Sequence, residues 1–284
     1  MKIAVAVVTH NRPQLLQEVL DALRNQTYPL TRLMVVDNVS GIETQTLLNQ
    51  CNDLEVIRFE QNTGGAGGFA KGVECALASD ADWVWLLDDD AVPRADALEK
   101  LIEALSELPE PVGAICTSVV EHGEVALMHR RFFEPKTLHE PVVPLDAYSG
   151  VVVPIHTASF VGFLLNCKAA AEVGKPNASF FIAYDDTEYS LRLHRAGWPL
   201  WLAPASVVDH KRSVKGRLRD GPYGTKHYYN LRNQLVVYRH YGEASAWRIS
   251  APIIKHGILA LLDARVASLR LWKRAWRDSH RVTI

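Results

Sequence analysis

Apolar residues along the first 117 positions fall into short continuous runs separated by longer stretches with helical spacing. Ile3 to Val8 is unbroken apolar chain, as a strand buried on both faces requires. Leu15, Leu16, Val19, Leu20 and Leu23 follow at helical intervals, with Asn11 and Pro13 where a cap and first turn would lie. The alternation predicts further strands at Leu33 to Val36, Val56 to Phe59, Trp83 to Leu87 and Val112 to Cys116. Helices are expected from Phe69 to Ala78 and from Ala95 to Leu108, with a glycine-rich turn ahead of the first. Strands alternating with helices imply a parallel sheet covered by helices, with ligands at the carboxyl ends of the strands.

From Ser118 to Thr157 the pattern is irregular, broken by Pro135, Pro141, Pro144 and Pro154, and reads as a loop-rich insertion. Regular structure is expected again at Ser159 to Asn166, in a helix from Asp186 to Ala196, and in strands at Leu200 to Ala203 and Val207 to His210. A polar, basic loop, KRSVKGRLRDGPYG, then leads into a helical tail. The expected organisation is a catalytic unit over 1–224, with halves 1–117 and 118–224, and a helical extension over 225–284.

With 284 residues, 48% of them apolar, the chain can bury a large core. Its formal net charge of −1 gives no global field for nucleic acid. Four scattered cysteines form no CxxC pair and no zinc-ligand spacing, which suits a reduced cytoplasmic protein. KIAVAVV reads as a strand rather than a signal peptide, and the apolar stretch from Ile249 to Leu262 falls short of the roughly 18 residues a membrane span needs. Beyond His240 the charges are mainly basic: Arg265, Arg270, Lys273, Arg274, Arg277 and Arg281 are interleaved with Leu269, Leu271, Trp272 and Trp276. Two readings of this tail stay open. It packs on the catalytic unit or a second subunit, or it lies on the inner face of an anionic membrane.

Three acidic sites sit at expected strand ends: Asp37, the run Asp88 to Asp90, and Asp185, Asp186 and Glu188. Each has a plain structural reading, since Asp37-Asn38 suits a turn and Asp90 or Asp186 a helix cap. Three adjacent carboxylates after an apolar strand are, however, costly to hold together without a cation. Asp88 and Asp90 are therefore expected to bind Mg2+ or Mn2+ through oxygen. The later acidic cluster offers a general base.

The succession VVTHNRPQLLQEVLDALRNQTYP, VVDNVS, NTGGAGGFAKGV, WLLDDDAVP, and GFLLN with FFIAYDDTEYSLRLHRAGW resembles the family 2 glycosyltransferases from the start of the chain to about His210. NTGGAGGF with YDDTEY is most similar to the galactofuranosyltransferase and rhamnosyltransferase branch. The resemblance implies a GT-A fold, a Rossmann-like, mostly parallel sheet flanked by helices, and inverting transfer of a sugar from a nucleotide-sugar to a glycan or lipid-linked acceptor. UDP-galactofuranose is the first expected donor and dTDP-rhamnose the second.

By the same resemblance Thr9, Asn11 and Arg12 line the nucleotide pocket, Asp37 contacts uracil or ribose, and Asn62, Gly64, Gly65, Gly67 and Gly68 approach the sugar diphosphate. Asp88 and Asp90 become the metal-binding pair, Asp89 faces the donor sugar, His210 is a third metal ligand, and Asp186 is the catalytic base supported by Asp185. A nucleotidyltransferase of related fold is disfavoured because THNRPQ occupies the place of its basic, glycine-rich loop. A noncatalytic carbohydrate-binding protein is disfavoured because Asp88, Asp90 and Asp186 are all present.

Overall fold

The structure is a computed structural model that describes residues 1–212 and 222–284, so much of the expected basic loop lies outside the described residues. The chain begins β1 (Ile3–Thr9), α1 (Pro13–Arg24), β2 (Arg32–Asp37), α2 (Ile42–Gln50), β3 (Glu55–Arg58), α3 (Gly64–Leu77) and β4 (Trp83–Asp88). A short β5 (Ala91–Pro93), α4 (Ala97–Ser106) and β6 (Ala114–Glu121) follow. The irregular segment holds four short strands, β7 (Glu124–Val125), β8 (Arg130–Arg131), β9 (Val153–Ile155) and β10 (Thr157–Ala158). Then come β11 (Phe163–Asn166), α5 (Cys167–Val173), α6 (Asp185–Arg195) and the long β12 (Leu200–His210). The tail is α7 (Thr225–Tyr241), α8 (Ala246–Leu262) and α9 (Val266–Asp278).

The main sheet has the order β3-β2-β1-β4-β11-β6-β12-β5. β1 to β4 are parallel, β11 runs antiparallel to both β4 and β6, and β12 is parallel to β6. Register places Thr9 opposite Asp37 and Val8 opposite Asp88, so three strands end level with one another at the carboxyl edge. β6 crosses residues 117 and 118 without interruption, and the sheet is continuous through both halves of the catalytic unit.

The unbroken apolar run of β1 is explained by burial on both faces. Ile3, Val5 and Val7 pack with Leu16, Val19, Leu20 and Leu23 of α1 and Leu98 and Leu101 of α4. Ala4, Ala6 and Val8 face the other way, against Phe69 and Val73 of α3. Small residues are needed on that side because α3 lies very close. A Cβ added at Gly68 would stand 2.4 Å from Val8 Cγ1, and one at Gly72 would stand 2.7 Å from Ala6 Cβ. The tract expected to be a turn is therefore the first turn of α3, which begins at Gly64 rather than Phe69. Close approach, more than chain reversal, accounts for Gly67 and Gly68.

Other elements also differ from expectation. α2 and α5 have too little apolar periodicity to be read from sequence. β12 is one strand instead of two, its register shifting between Ala203 and Val207 around Pro204. Asn11 does not cap α1: it has a φ of 58°, Arg12 holds the cap position, and its side chain accepts from Gly41 N–H at 2.6 Å. The irregular segment is anchored by Arg130, a fully buried guanidinium that donates to the carbonyls of Thr117, His129, Ser159 and Val161 at 2.6–3.3 Å.

The packing of α3 predicts opposite behaviour at two neighbouring glycines. Gly68→Ala is expected to destabilise by about 1–3 kcal/mol through overpacking on β1. At Gly65 the nearest atom to an added Cβ is Phe69 Cε2 at 4.0 Å, and Gly65→Ala should be neutral or stabilising by up to about 1 kcal/mol. Urea unfolding of both variants measures the difference.

Candidate active site

The acidic run begins where β4 leaves the sheet. Asp89 turns back toward the loop after β1: its Oδ2 accepts from Thr9 Oγ1 at 2.8 Å and His10 N–H at 3.1 Å, and its Oδ1 from Arg12 at 3.1 Å. Both oxygens of Asp89 are thus engaged by the protein. The same Arg12 nitrogen donates to Asp90 Oδ2 at 2.6 Å. Burial tends to lower the Arg12 pKa, but Asp89, Asp90 and Asp88 more than reverse this and hold it charged.

His210 reaches the run because β12 pairs antiparallel with β5, setting His210 opposite Ala91. Its Nε2 lies 3.2 Å from Asp90 Oδ1, and its Nδ1 faces Glu121 Oε1 at 2.8 Å. One ligand atom from each of Asp88, Asp90 and His210 lies within 4.8 Å of the others. Burial first, then Asp90, pushes the Asp88 carboxyl well up, with His210 opposing. Burial alone would raise Asp90 too, but its hydrogen bond and charge interaction with His210, aided by Arg12, hold it below its ordinary value. Burial would lower His210, and the facing carboxylates of Asp90, Asp88 and Glu121 raise it instead. Two hard carboxylate oxygens and an imidazole at this spacing fit Mn2+ or Mg2+, whose charge would take over the compensation of these carboxylates.

Glu121 was missed by the sequence reading, and no motif surrounds it. It ends β6 and fixes the His210 ring so that Nε2 points to Asp90, the usual relation of a carboxylate to a ligating histidine. His129 also bonds Glu121, at 3.1 Å. That hydrogen bond, with the one from His210, holds Glu121 down to about 2, while burial keeps His129 neutral with a pKa lowered to about 4.

The second acidic cluster opens α6, one residue earlier than expected. The chain enters it through three non-glycine residues with left-handed backbone, Phe181, Ala183 and Tyr184, at φ values of 64°, 69° and 62°. Such a run is strained and must be held by its surroundings. Asn233 of α7 provides the hold, its amide donating to the carbonyls of Phe180, Ile182 and Ala183 at 2.9, 3.0 and 2.7 Å. Arg232 adds bonds to the carbonyls of Ser179 and Phe180. Phe181 stacks on Tyr229 of the same helix, with ring centroids 4.7 Å apart. Asn233 also escaped the sequence reading, because it lies about fifty residues beyond the loop it holds.

Asp185 is buried, and its carboxyl is pushed well above its ordinary value by burial, Asp186 and Asp88. Asp185 at the start of α6 thus lies near Asp88 of the Asp88, Asp90 and His210 group. Asp186 Oδ1 accepts from Thr187 N–H at 2.6 Å, and its other oxygen has no protein partner among the described residues. Burial raises Asp186, opposed chiefly by Arg131. Glu188 is no part of the site. It is fully buried, paired with Arg192 at 2.7 Å and accepting from Tyr241 at 2.8 Å, and so ties α6 to α7.

The remaining expected residues divide between two roles. Asp37 is buried and caps the turn after β2 through Ser40 N–H at 2.8 Å, with Arg58 3.7 Å away. Asn62 Oδ1 accepts from Gly64 N–H at 2.8 Å, holding the entry to α3. Gly64 lies against the strained loop, since an added Cβ would come within 1.9 Å of the Phe181 carbonyl; Gly67 lies against Thr63. Gly65, with open space beside it, leaves its backbone approachable. Thr9 and Arg12 belong to the Asp89 cluster, and Asn11 to the loop after β2.

A helix-covered, mostly parallel sheet ending in a carboxylate pair beside a histidine matches the GT-A fold expected from the sequence. The sequence matches glycosyl transferase family 2 over residues 4–161 and glycosyl transferase family group 2 over residues 83–272. The chain belongs to glycosyl transferase family 2. It is 28% identical to galactofuranosyltransferase GlfT1 of Mycolicibacterium smegmatis over 98% of this chain and 96% of the relative. It is also 28% identical to the O-antigen chain rhamnosyltransferase RfbN of Salmonella typhimurium, covering 76% of this chain and 68% of that protein. Among solved structures, GalNAc-T7 with UDP, GalNAc and Mn2+ shares the fold at a TM-score of 0.64 and 15% identity. That likeness covers 84% of this chain and 48% of the other, so the chain spans about half the length of that neighbour.

Two outcomes test the site. Calorimetric titration with Mn2+ should show affinity falling at least tenfold in Asp90→Ala and His210→Ala, and by a smaller factor in Glu121→Gln, which keeps the ring's neighbour but weakens its acceptor; equal affinity in all four proteins would remove the triad. Asn233→Ala should cost about 1–3 kcal/mol in urea unfolding, because the Ile182 and Ala183 carbonyls lose their side-chain donor and the Phe180 carbonyl keeps only Arg232 as a side-chain donor, and should lower turnover more than the stability loss accounts for.

Proposed function

We propose that the chain is a metal-dependent, inverting glycosyltransferase that moves a sugar from a nucleotide-sugar to a hydroxyl of a glycan or lipid-linked acceptor in cell-surface polysaccharide synthesis. The observation that carries this reading is the placement of Asp186, with one unengaged carboxylate oxygen, next to Asp185, which feels the charge of Asp88 in the Asp88, Asp90 and His210 cluster. One displacement then suffices. The acceptor hydroxyl gives its proton to Asp186 as its oxygen bonds to the anomeric carbon; the bond from that carbon to the diphosphate breaks, and the nucleoside diphosphate leaves. Mn2+ or Mg2+ held by Asp88, Asp90 and His210 would supply positive charge for the leaving diphosphate.

Asp186 suits the role of base by its position at the start of an eleven-residue helix, whose dipole favours the ionised form, while burial keeps its basicity up. Asp185 is a supporting group, and Gly65 at the start of α3 offers backbone to the donor phosphates. UDP-galactofuranose is the first donor, supported by the similarity to GlfT1 along nearly the full length of both chains. dTDP-rhamnose is the second, supported by the similarity to RfbN.

Asp186→Asn is expected to lower transfer by about 10² to 10⁴ while donor and Mn2+ binding stay within about twofold of the parent. A screen of UDP- and dTDP-sugars, read by release of nucleoside diphosphate with and without EDTA, identifies the donor. Unimpaired turnover in Asp186→Asn would overturn the assignment of the base, and undiminished turnover in EDTA would overturn the metal requirement.

A further inference from the structure

The tail divides into two parts with different surroundings. α7 is built into the catalytic unit, its Val236, Val237 and Tyr238 packing with Phe133, Phe180 and Leu191. α8 touches α7 and α9 through one face, where Pro252, His256 and Ala260 are buried and Trp272 donates to the Ile253 carbonyl at 2.9 Å. Its opposite face is apolar as well. Trp247, Ile254, Ile258, Leu261 and Leu262 are 68%, 65%, 53%, 63% and 77% exposed. The spacing i, i+7, i+11, i+14 aligns the first four in one ridge along the helix, and Leu262 lies beside it.

A ridge of large apolar side chains in water is unfavourable unless something covers it. The charges around it identify the cover. From Ala246 to Ile284 the chain carries eight Lys and Arg against two Asp, Asp263 and Asp278, within a protein of formal net charge −1. Arg248 stacks on the Trp247 ring at 5.2 Å, and Lys255 follows Ile254 on the flank of the ridge. Among the described residues Lys255, Arg270 and Lys273 have no carboxylate partner, whereas Arg265 pairs with Asp263 and Arg274 with Asp278. Two copies meeting ridge to ridge would bring like charges together. An anionic lipid surface instead takes the apolar residues into its interface and the cations against its headgroups. No helix among the described residues is long and apolar enough to cross a membrane, so α8 would lie in the plane of the surface.

We propose that the exposed face of α8, with its flanking cations, is a docking surface for anionic lipid bilayers. The inference holds for any donor or acceptor and does not depend on the proposed reaction. Flotation of the full chain with vesicles of phosphatidylglycerol and phosphatidylcholine, and with phosphatidylcholine alone, tests it. Binding is expected to the anionic vesicles, weakened at high salt, with a blue shift of tryptophan emission that is reduced in Trp247→Ser. Ile258→Glu with Leu261→Glu should reduce partitioning at least tenfold without lowering the melting temperature, since both side chains are exposed. If that double variant does not fold, Arg248→Glu with Lys255→Glu serves in its place, with the same loss expected. Absence of parent binding at low salt, or binding that neither pair of substitutions reduces, would overturn the proposal. So would sedimentation showing a dimer that the substitutions dissolve in a protein that does not float with vesicles, which would assign the ridge to a second copy.

Discussion

Negative charge concentrated at the edge of the sheet is the constraint on which the rest of the structure depends. Asp88, Asp89 and Asp90 leave β4 together, and Asp185 at the start of α6 adds its charge beside Asp88. Removing carboxylates from water while bringing them close disfavours their ionised forms twice over, through desolvation and mutual repulsion. Two of these carboxylates have a compensation of their own. Asp89 is absorbed into the loop after β1 by a hydroxyl, a backbone N–H and Arg12. Asp90 shares Arg12 and faces His210. Asp88 is left most exposed to the repulsion, which makes it and Asp90 the natural holders of a divalent cation.

The same constraint explains why α7 belongs with the catalytic unit. Two carboxylates at the first positions of α6 benefit from the helix N-terminus, but the chain enters that helix only through three left-handed residues among four, Phe181, Ala183 and Tyr184. Asn233 and Arg232 hold that segment by its carbonyls, and Glu188 with Tyr241 ties the far side of α6 to the same helix. Rigid elements thereby set the direction of Asp186, and the strain is held in place by α7. α8 does none of this, and its outward apolar face has a separate explanation.

The core was legible because burial on both faces demands continuous apolar runs, and β1 and β4 carry them without a break. Asp37 and Asp88 were legible for a related reason: a carboxylate directly after such a run has to lie at a strand's end; Asp185 and Asp186, expected at a strand's end as well, instead follow a 3-10 turn at Ala178–Phe180 and open α6. Helices with weak periodicity, α2 and α5, were not legible. Nor was the helical state of the glycine tract, since a turn and a helix pressed against a strand call for the same residue.

The sequence by itself determined the class of fold and the family, and it singled out the acidic residues at Asp37, Asp88 to Asp90 and Asp185 to Asp186, because those follow from local order along the chain. Only the tertiary structure decided how the acids are shared out. That Asp89 turns inward, Glu188 pairs with Arg192, Glu121 orients His210 and Asn233 holds the entry to α6 depends on partners brought together by strand register and helix packing. His210 meets Asp90 because β12 runs antiparallel to β5, and Glu121 meets His210 because β6 lies beside β12. A hydrogen bond is decided within a few tenths of an ångström, a precision set by long-range packing and not by the spacing of residues along the chain.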